Sequence, residues 1–261
     1  MSSNNSQFSI LNSQFYLILH SEFCILHSVM GGFRFKQFAV EQSGVAMKVG
    51  TDGVLLGAWA SFGDARRVLD IGTGTGVIAL MAAQRSSAAT IVAVEIDRAA
   101  AACASSNFVA SPWSDRLSVV EGAVQEYAAE EQFDYIISNP PYFVDSLRSP
   151  DARRTMARHT TDLTFEQLAV AVERLLATSG RFGIVLPTEQ MEQFASTTSL
   201  VMLRRCNVHS VPGGAVKRVL AEFGHERSGE LVVETLTIET DVRGQFSDQY
   251  RALTQDFYLK F

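Results

Sequence analysis

The sequence predicts an α/β protein built on a doubly wound, mostly parallel sheet with helices on both faces. Three observations carry this. Short apolar runs suited to buried strands alternate with stretches of helical periodicity along the chain. The first of the buried runs, Val68-Leu69-Asp70-Ile71, leads directly into a glycine-rich turn and a helix. The next strand ends on an acid, Glu95, about twenty residues further on, which is the spacing of a nucleotide-binding βαβ unit. A chain of 261 residues with 47% hydrophobic content can bury one large core, so a single domain is expected.

Each element has its own signal. Residues 33–49 read as a short extended hairpin turning at Ser43-Gly44, and residues 51–62 as a helix capped by Thr51 or Asp52. After the strand at 68–71, Gly72-Thr73-Gly74-Thr75-Gly76 forms the turn and residues 77–82 open a helix. Residues 90–94 form the second strand, 99–108 a helix, 117–120 the third strand and 133–138 the fourth. Residues 165–177 are helical, and 181–186 form a strand closed by Pro187. Helix and strand follow over 189–211, Gly224 and Gly229 mark a turn, and 230–239 reads as the last strand.

The most specific chemical signal is Asn139-Pro140-Pro141-Tyr142 at the end of the fourth strand. An exocyclic amine on a purine is a weak nucleophile, because its lone pair is delocalised into the ring. The amide oxygen of Asn139 and the carbonyl of Pro140 suit the task of accepting its two N–H bonds and drawing that pair back onto nitrogen, while Tyr142 offers a stacking face. Proline stiffens the turn. Asn and Pro also end strands without any such role, and the glycine loop decides between the two readings. Glycines there let a ligand approach the backbone and supply amide donors, and Glu95 can accept both hydroxyls of a ribose. A phosphate-cradling loop needs Lys after its last glycine and a dinucleotide fingerprint needs glycine at 77; Val77 stands there, which disfavours both. Asp70, just before the loop, repels a pyrophosphate and suits the cationic amino acid part of S-adenosylmethionine.

With both motifs in place, the chain resembles the class I S-adenosylmethionine-dependent methyltransferases that act on amines. Phe35-Lys36-Gln37-Phe38, the stretch from Met47 and Lys48 through Gly57-Ala58-Trp59, and Asn139-Pro140-Pro141-Tyr142-Phe143 followed by Arg158-His159 resemble, within that class, the bacterial tRNA(Val) adenine-N6 methyltransferases. The resemblance implies a Rossmann-like sheet of seven strands with an antiparallel hairpin at its C-terminal edge. It also implies S-adenosylmethionine as cofactor, tRNA as partner and methylation of an adenosine beside the anticodon. Residues 30–62 would then fold over the cofactor, with Lys48, Thr51 and Asp52 bordering its methionine end; surface charge and helix capping are their alternative roles. Asp70, Gly72, Thr73, Gly74, Gly76, Glu95 and Asn139 fall to the cofactor site, with Ile96 packing on the adenine and Asp97 capping the next helix. Ala123 stands where many relatives carry a polar residue for the adenine, so recognition falls to the main chain or to packing by Val124. Two other functions keep the same motifs: methylation of a protein glutamine, and a catalytically silent cofactor- or RNA-binding module. The short segment ahead of the glycine loop argues against the first, and the intact clamp against the second.

A net charge of −6 argues against indiscriminate nucleic-acid binding, so a tRNA enzyme must carry its positive charge locally. Arg148, Arg153, Arg154 and Arg158 follow the clamp, and Arg204, Arg205, Lys217 and Arg218 make a second run. Arg153, Arg154, Arg158, His159, Lys217 and Arg218 are the candidate RNA contacts; a solvated surface is the alternative for both clusters, and a structural hydrogen bond for His159. Cys24, Cys103 and Cys206 show no ligand spacing, so reduced thiols and no metal are expected. Residues 1–29 hold an imperfect apolar repeat without Lys or Arg, unlike a secretory signal or a membrane span, and are expected to be a non-native or disordered leader. Residues 30–261 are expected to form one methyltransferase domain, monomeric and cytoplasmic.

Overall fold

The computed structural model describes residues 32–141 and 163–260. The expectations for residues 1–29, Tyr142, Arg148, Arg153, Arg154, Arg158 and His159 lie outside them.

The chain enters through two short antiparallel strands, β1 (Phe33–Arg34) and β2 (Ala39–Val40), which form a sheet of their own. Their turn lies at residues 35–38 rather than at Ser43-Gly44. Phe35 and Phe38 are buried and stacked there at 4.5 Å, and the Phe35 N–H donates to Phe38 O at 2.8 Å. Helix α1 (Thr51–Trp59) starts from Gly50, and no side chain caps it. The Asp52 carboxylate accepts instead from Arg218 Nε at 2.8 Å. The helix stops before Ser61, whose N–H is taken by the Glu222 carboxylate at 2.6 Å.

The large sheet runs through β3 (Arg67–Ile71), β4 (Thr90–Glu95), β5 (Leu117–Glu121), β6 (Phe133–Ser138), β7 (Leu176–Leu186), β8 (Val201–His209), β9 (Val216–Gly224) and β10 (Val232–Thr237), in the spatial order β10-β8-β9-β7-β6-β3-β4-β5. The strands from β5 to β7 pair in parallel. The remaining helices are α2 (Val77–Arg85), α3 (Arg98–Val109), α4 (Phe165–Leu175), α5 (Thr188–Thr197) and α6 (Asp248–Thr254). Asp97 caps α3 by accepting from the Ala100 N–H, and Thr164 with Gln167 closes a capping box on α4. Alternate residues of the central strands feed the two faces: Val68, Tyr135 and Ile137 pack with α1 and α2, and Leu69 and Ile136 with α4. Among the described residues no helix is long and apolar enough to cross a membrane.

One strand escaped the sequence reading. β9 lies between β7 and β8, antiparallel to both, so the sheet has eight strands where seven were expected. The antiparallel hairpin is β8 with β9, and the final strand β10 is added outside it, parallel to β8. Glu222 interrupts the apolar run of β9, and a carboxylate in an apolar run argues against a buried strand. Here it is fully buried, and only one of its oxygens is hydrogen-bonded: Oε1 accepts from Tyr135 Oη and from the Ser61 N–H, both at 2.6 Å, while Oε2 has no hydrogen-bond partner and is faced by the charges of Arg181 at 3.6 Å and Arg204 at 3.9 Å. Burial, with this carboxylate alongside, pushes the Tyr135 phenol well above its usual range.

The second basic run is dispersed by the same strands. Arg204 lies over the Trp59 ring at 4.0 Å and pairs with Glu234 at 2.9 Å, and Arg205 pairs with Glu192 at 2.7 Å. Arg218 is held by Asp52, while Lys217 is exposed. The four residues therefore do not form one open cationic patch.

Candidate active site

β3 is followed in space by β4 and β5 on one side and by β6 on the other, so the order reverses at β3. A crevice opens beyond the carboxyl ends of strands at such a point. The turn from β3 into α2 forms its floor. Gly76 takes φ 83°, and a Cβ added there would sit 2.5 Å from the Phe108 ring, so both backbone and packing exclude a side chain. Gly74, at φ 57°, donates its N–H to Glu95 Oε2 at 2.9 Å, while Glu95 Oε1 accepts from the Asp97 N–H at 2.9 Å. The Gly72 N–H reaches Val94 O at 2.8 Å. The loop is thus laced to the end of β4.

The crevice is lined by Gly72, Gly74, Glu95, Ile96, Ala123, Val124, Asn139, Pro140 and Pro141, all singled out from the sequence. Asp70, Thr73 and Gly76 do not line it; Asp70 and Thr73 are buried. Lys48, Thr51 and Asp52 are not among its lining residues either: Lys48 and Thr51 are exposed, and Asp52 is engaged with Arg218. Sequence reasoning assigned no site role to Val45, Ala46, Ser138, Gln125 and Leu163, and none to Met47 beyond its place in the family-like stretch. Met47 and Ile96 are 51% and 53% exposed, two large apolar side chains left open on the same crevice. Such a pair suits a flat aromatic ligand better than a charged one. Asn139 is half-buried beside α1, where Gly53 leaves its Nδ2 3.6 Å from the position of an added Cβ.

Asp70 is buried on β3, directly before Ile71 of the crevice lining. Its Oδ2 accepts from Thr73 Oγ1 at 2.6 Å, but its buried Oδ1 has no hydrogen-bond partner. Burial raises its pKa to about 7, against the lowering effect of the Thr73 bond, and the nearby Glu95 adds to the rise. A buried carboxylate with an orphan oxygen is stabilised by a cation and repelled by an anion. The residues therefore fit a ligand with a cationic end, a ribose within reach of Glu95 and a planar base between apolar side chains. Among the described residues no group of three His, Cys, Asp or Glu side chains is placed to hold a metal ion.

Comparison with known proteins agrees with this geometry. Residues 49–194 match the methyltransferase small domain family. A tRNA1(Val) (adenine(37)-N6)-methyltransferase of Bacteroides thetaiotaomicron is 51% identical over 231 residues, covering 87% of this chain and 97% of the relative. Its counterpart from Phocaeicola vulgatus is 47% identical over 230 residues, covering 87% and 97%. Among solved structures, a predicted O-methyltransferase of Agrobacterium tumefaciens superposes with a TM-score of 0.62 at 18% identity, over 79% of this chain and 96% of that one, a likeness of fold. By its sequence, at this identity and coverage, the chain belongs to the family of tRNA1(Val) (adenine(37)-N6)-methyltransferases.

Proposed function

We propose that this chain methylates N6 of an adenosine in the anticodon loop of a tRNA, the reaction for which its relatives are named, with S-adenosylmethionine as donor. The carrying observation is the placement of Asn139 and Pro140 on the same crevice as the glycine loop and Glu95. Bound S-adenosylmethionine supplies a methyl group activated by a positively charged sulfur. Asp70 favours the cationic end of that ligand, Glu95 its ribose, and Ile96 with Met47 its adenine. Asn139 and the Pro140 carbonyl accept the N–H bonds of the target amine, so that its lone pair points at the methyl carbon. Asn139 and the Pro140 carbonyl would keep the amine in place until its surplus proton is released to water. An unpaired loop base is cheaper to turn outwards than one in a duplex, which suits an anticodon loop.

Arg153, Arg154, Arg158 and His159 remain the proposed RNA contacts on the strength of their place after the clamp, with exposed Lys217 beside them in the proposal; Arg218 joins them only by releasing Asp52. The oligomeric state proposed for the chain is a monomer. The proposed tRNA substrate supports a cytoplasmic location. The test is incubation of purified protein with S-adenosylmethionine and unmodified tRNA1(Val), followed by mass spectrometry of the nucleosides. N6-methyladenosine is expected, and a methylated protein glutamine with unaltered tRNA would overturn the proposal.

Asp70 gives a prediction with two opposite signs. Its folded pKa of about 7 lies above the ordinary aspartate value of 3.8, so the folded chain holds a proton that the unfolded chain has released between those values. Its contribution to stability is therefore lost as pH rises through that window. Asp70→Asn is expected to leave the melting temperature of the ligand-free protein at pH 8 unchanged or higher, yet to weaken S-adenosylmethionine binding by roughly ten-fold or more. In the unaltered protein, affinity for the cofactor is expected to rise with pH through about 7 as this carboxylate ionises. Scanning and titration calorimetry check both; a variant with lowered stability and unchanged affinity would make Asp70 a purely structural acid.

A further inference from the structure

The stretch 41–50, between β2 and α1, supplies Val45, Ala46 and Met47 to the crevice wall but belongs to no strand. A wall without a ladder is only as well placed as its attachments. At one end it closes on itself, the Val49 N–H donating to Gln42 Oε1 at 2.9 Å. At the other it is held by Asn107 on α3. The Oδ1 of this residue accepts from the Glu41 N–H at 2.8 Å, and its Nδ2 donates to Glu41 O at 2.9 Å and to Thr75 O at 2.8 Å. Both donors and the acceptor are engaged. Cys103 Sγ adds a longer bond to Glu41 O at 3.1 Å. Asn107 is 3% exposed, so water has little access to replace a lost partner. Thr75 belongs to the glycine loop. One side-chain amide therefore ties the wall of the crevice to its floor.

We infer that Asn107 is a positioning residue for cofactor binding: through Glu41 it sets the 41–50 stretch against the glycine loop, so that Val45, Ala46 and Met47 close one side of the cofactor. This rests on the crevice being the S-adenosylmethionine site. Neither partner of Asn107 touches the reacting atoms, so its contribution is to affinity rather than to the chemical step. If the wall is correctly placed only a fraction of the time, the apparent dissociation constant rises by the inverse of that fraction.

The test measures S-adenosylmethionine binding by titration calorimetry, and KM and kcat with tRNA, in Asn107→Ala, Gln42→Ala and Thr254→Val. The last removes a fully buried hydroxyl that donates to Tyr250 O at 2.7 Å within α6, and serves as a stability control. Asn107→Ala is expected to weaken cofactor binding and raise its KM by roughly ten-fold, with kcat at saturating cofactor within about two-fold of the unaltered enzyme. Gln42→Ala opens the other clasp without a buried cavity at Asn107, and is expected to shift KM in the same direction by about three-fold. Thr254→Val is expected to lower the melting temperature with KM unchanged. Hydrogen exchange in the ligand-free Asn107→Ala protein should accelerate chiefly over 41–50. The inference is overturned if Asn107→Ala and Gln42→Ala both keep the cofactor KM of the unaltered protein, or if Asn107→Ala raises KM no more than Thr254→Val at matched loss of melting temperature. Failure of the unaltered protein to bind S-adenosylmethionine would instead overturn the proposed function.

Discussion

Asn139→Ala is expected to lower turnover at saturating substrates by about 10²-fold or more while leaving S-adenosylmethionine affinity within a few-fold. The amide sits at the end of β6, half-buried, and shares the crevice with the glycine loop. Its oxygen is placed to accept from an amine whose lone pair must be withdrawn from the ring, a need that is greatest as the new bond forms. Removing an interaction made mainly at that moment lowers kcat and kcat/KM together. Asn139→Asp keeps an acceptor oxygen and should retain more activity than the alanine variant. Single-turnover kinetics with tRNA and calorimetry with cofactor separate the two quantities. Equal single-turnover rates in Asn139→Ala and the unaltered enzyme would remove this residue from the reaction.

The largest expected effect on stability lies elsewhere. Glu222→Ala should destabilise the fold by about 3–5 kcal/mol, because it removes one member of a buried charge network and leaves the others without it. Tyr135 Oη and the Ser61 N–H each lose a 2.6 Å acceptor, and Arg204 keeps Glu234 but loses the charge beside it. Arg181 is about half exposed and its pairing contributes little. None of these residues lines the crevice, so cofactor affinity per folded molecule should be unchanged. Urea denaturation followed by fluorescence checks the first part and calorimetry the second. A loss below about 1 kcal/mol would mean that solvent or rearranged side chains take over the role of the carboxylate.

How much of this was legible in the sequence follows from how local each signal is. The run from β3 through the glycine turn to α2 was read correctly because strand burial, positive-φ glycines and helix periodicity all act within a few residues. Asn139, Pro140 and Glu95 fall together on the crevice lining because Glu95 is the last residue of β4 and Asn139-Pro140 follows directly on β6. Asp97 reads as a cap and is one, the N–H that donates to it lying only three residues away. β9 was not legible, since what permits a carboxylate there comes from Tyr135, 87 positions earlier, and Ser61, 161 positions earlier. Asn107 reads as an ordinary polar residue of a helix, and its partners Glu41 and Thr75 lie 66 and 32 positions away. Arg218 reads as a candidate RNA contact for the same reason, its partner Asp52 being 166 positions distant.

The place of β9 also bears on how the molecule is made. β7 and β8 are consecutive in the chain but not neighbours in the sheet, and the strand between them is synthesised after both. While a ribosome is still short of residue 216, β7 presents a bare edge and β8 has no antiparallel partner. Unpaired edges of this kind are sticky, and pairings that wait for distant segments form slowly. The pairing of β9 with β7 also brings the Glu222 carboxylate to Tyr135 and Ser61. A chain truncated before β9 is therefore expected to aggregate rather than to act as a smaller enzyme, even though every residue described as lining the crevice has already been translated.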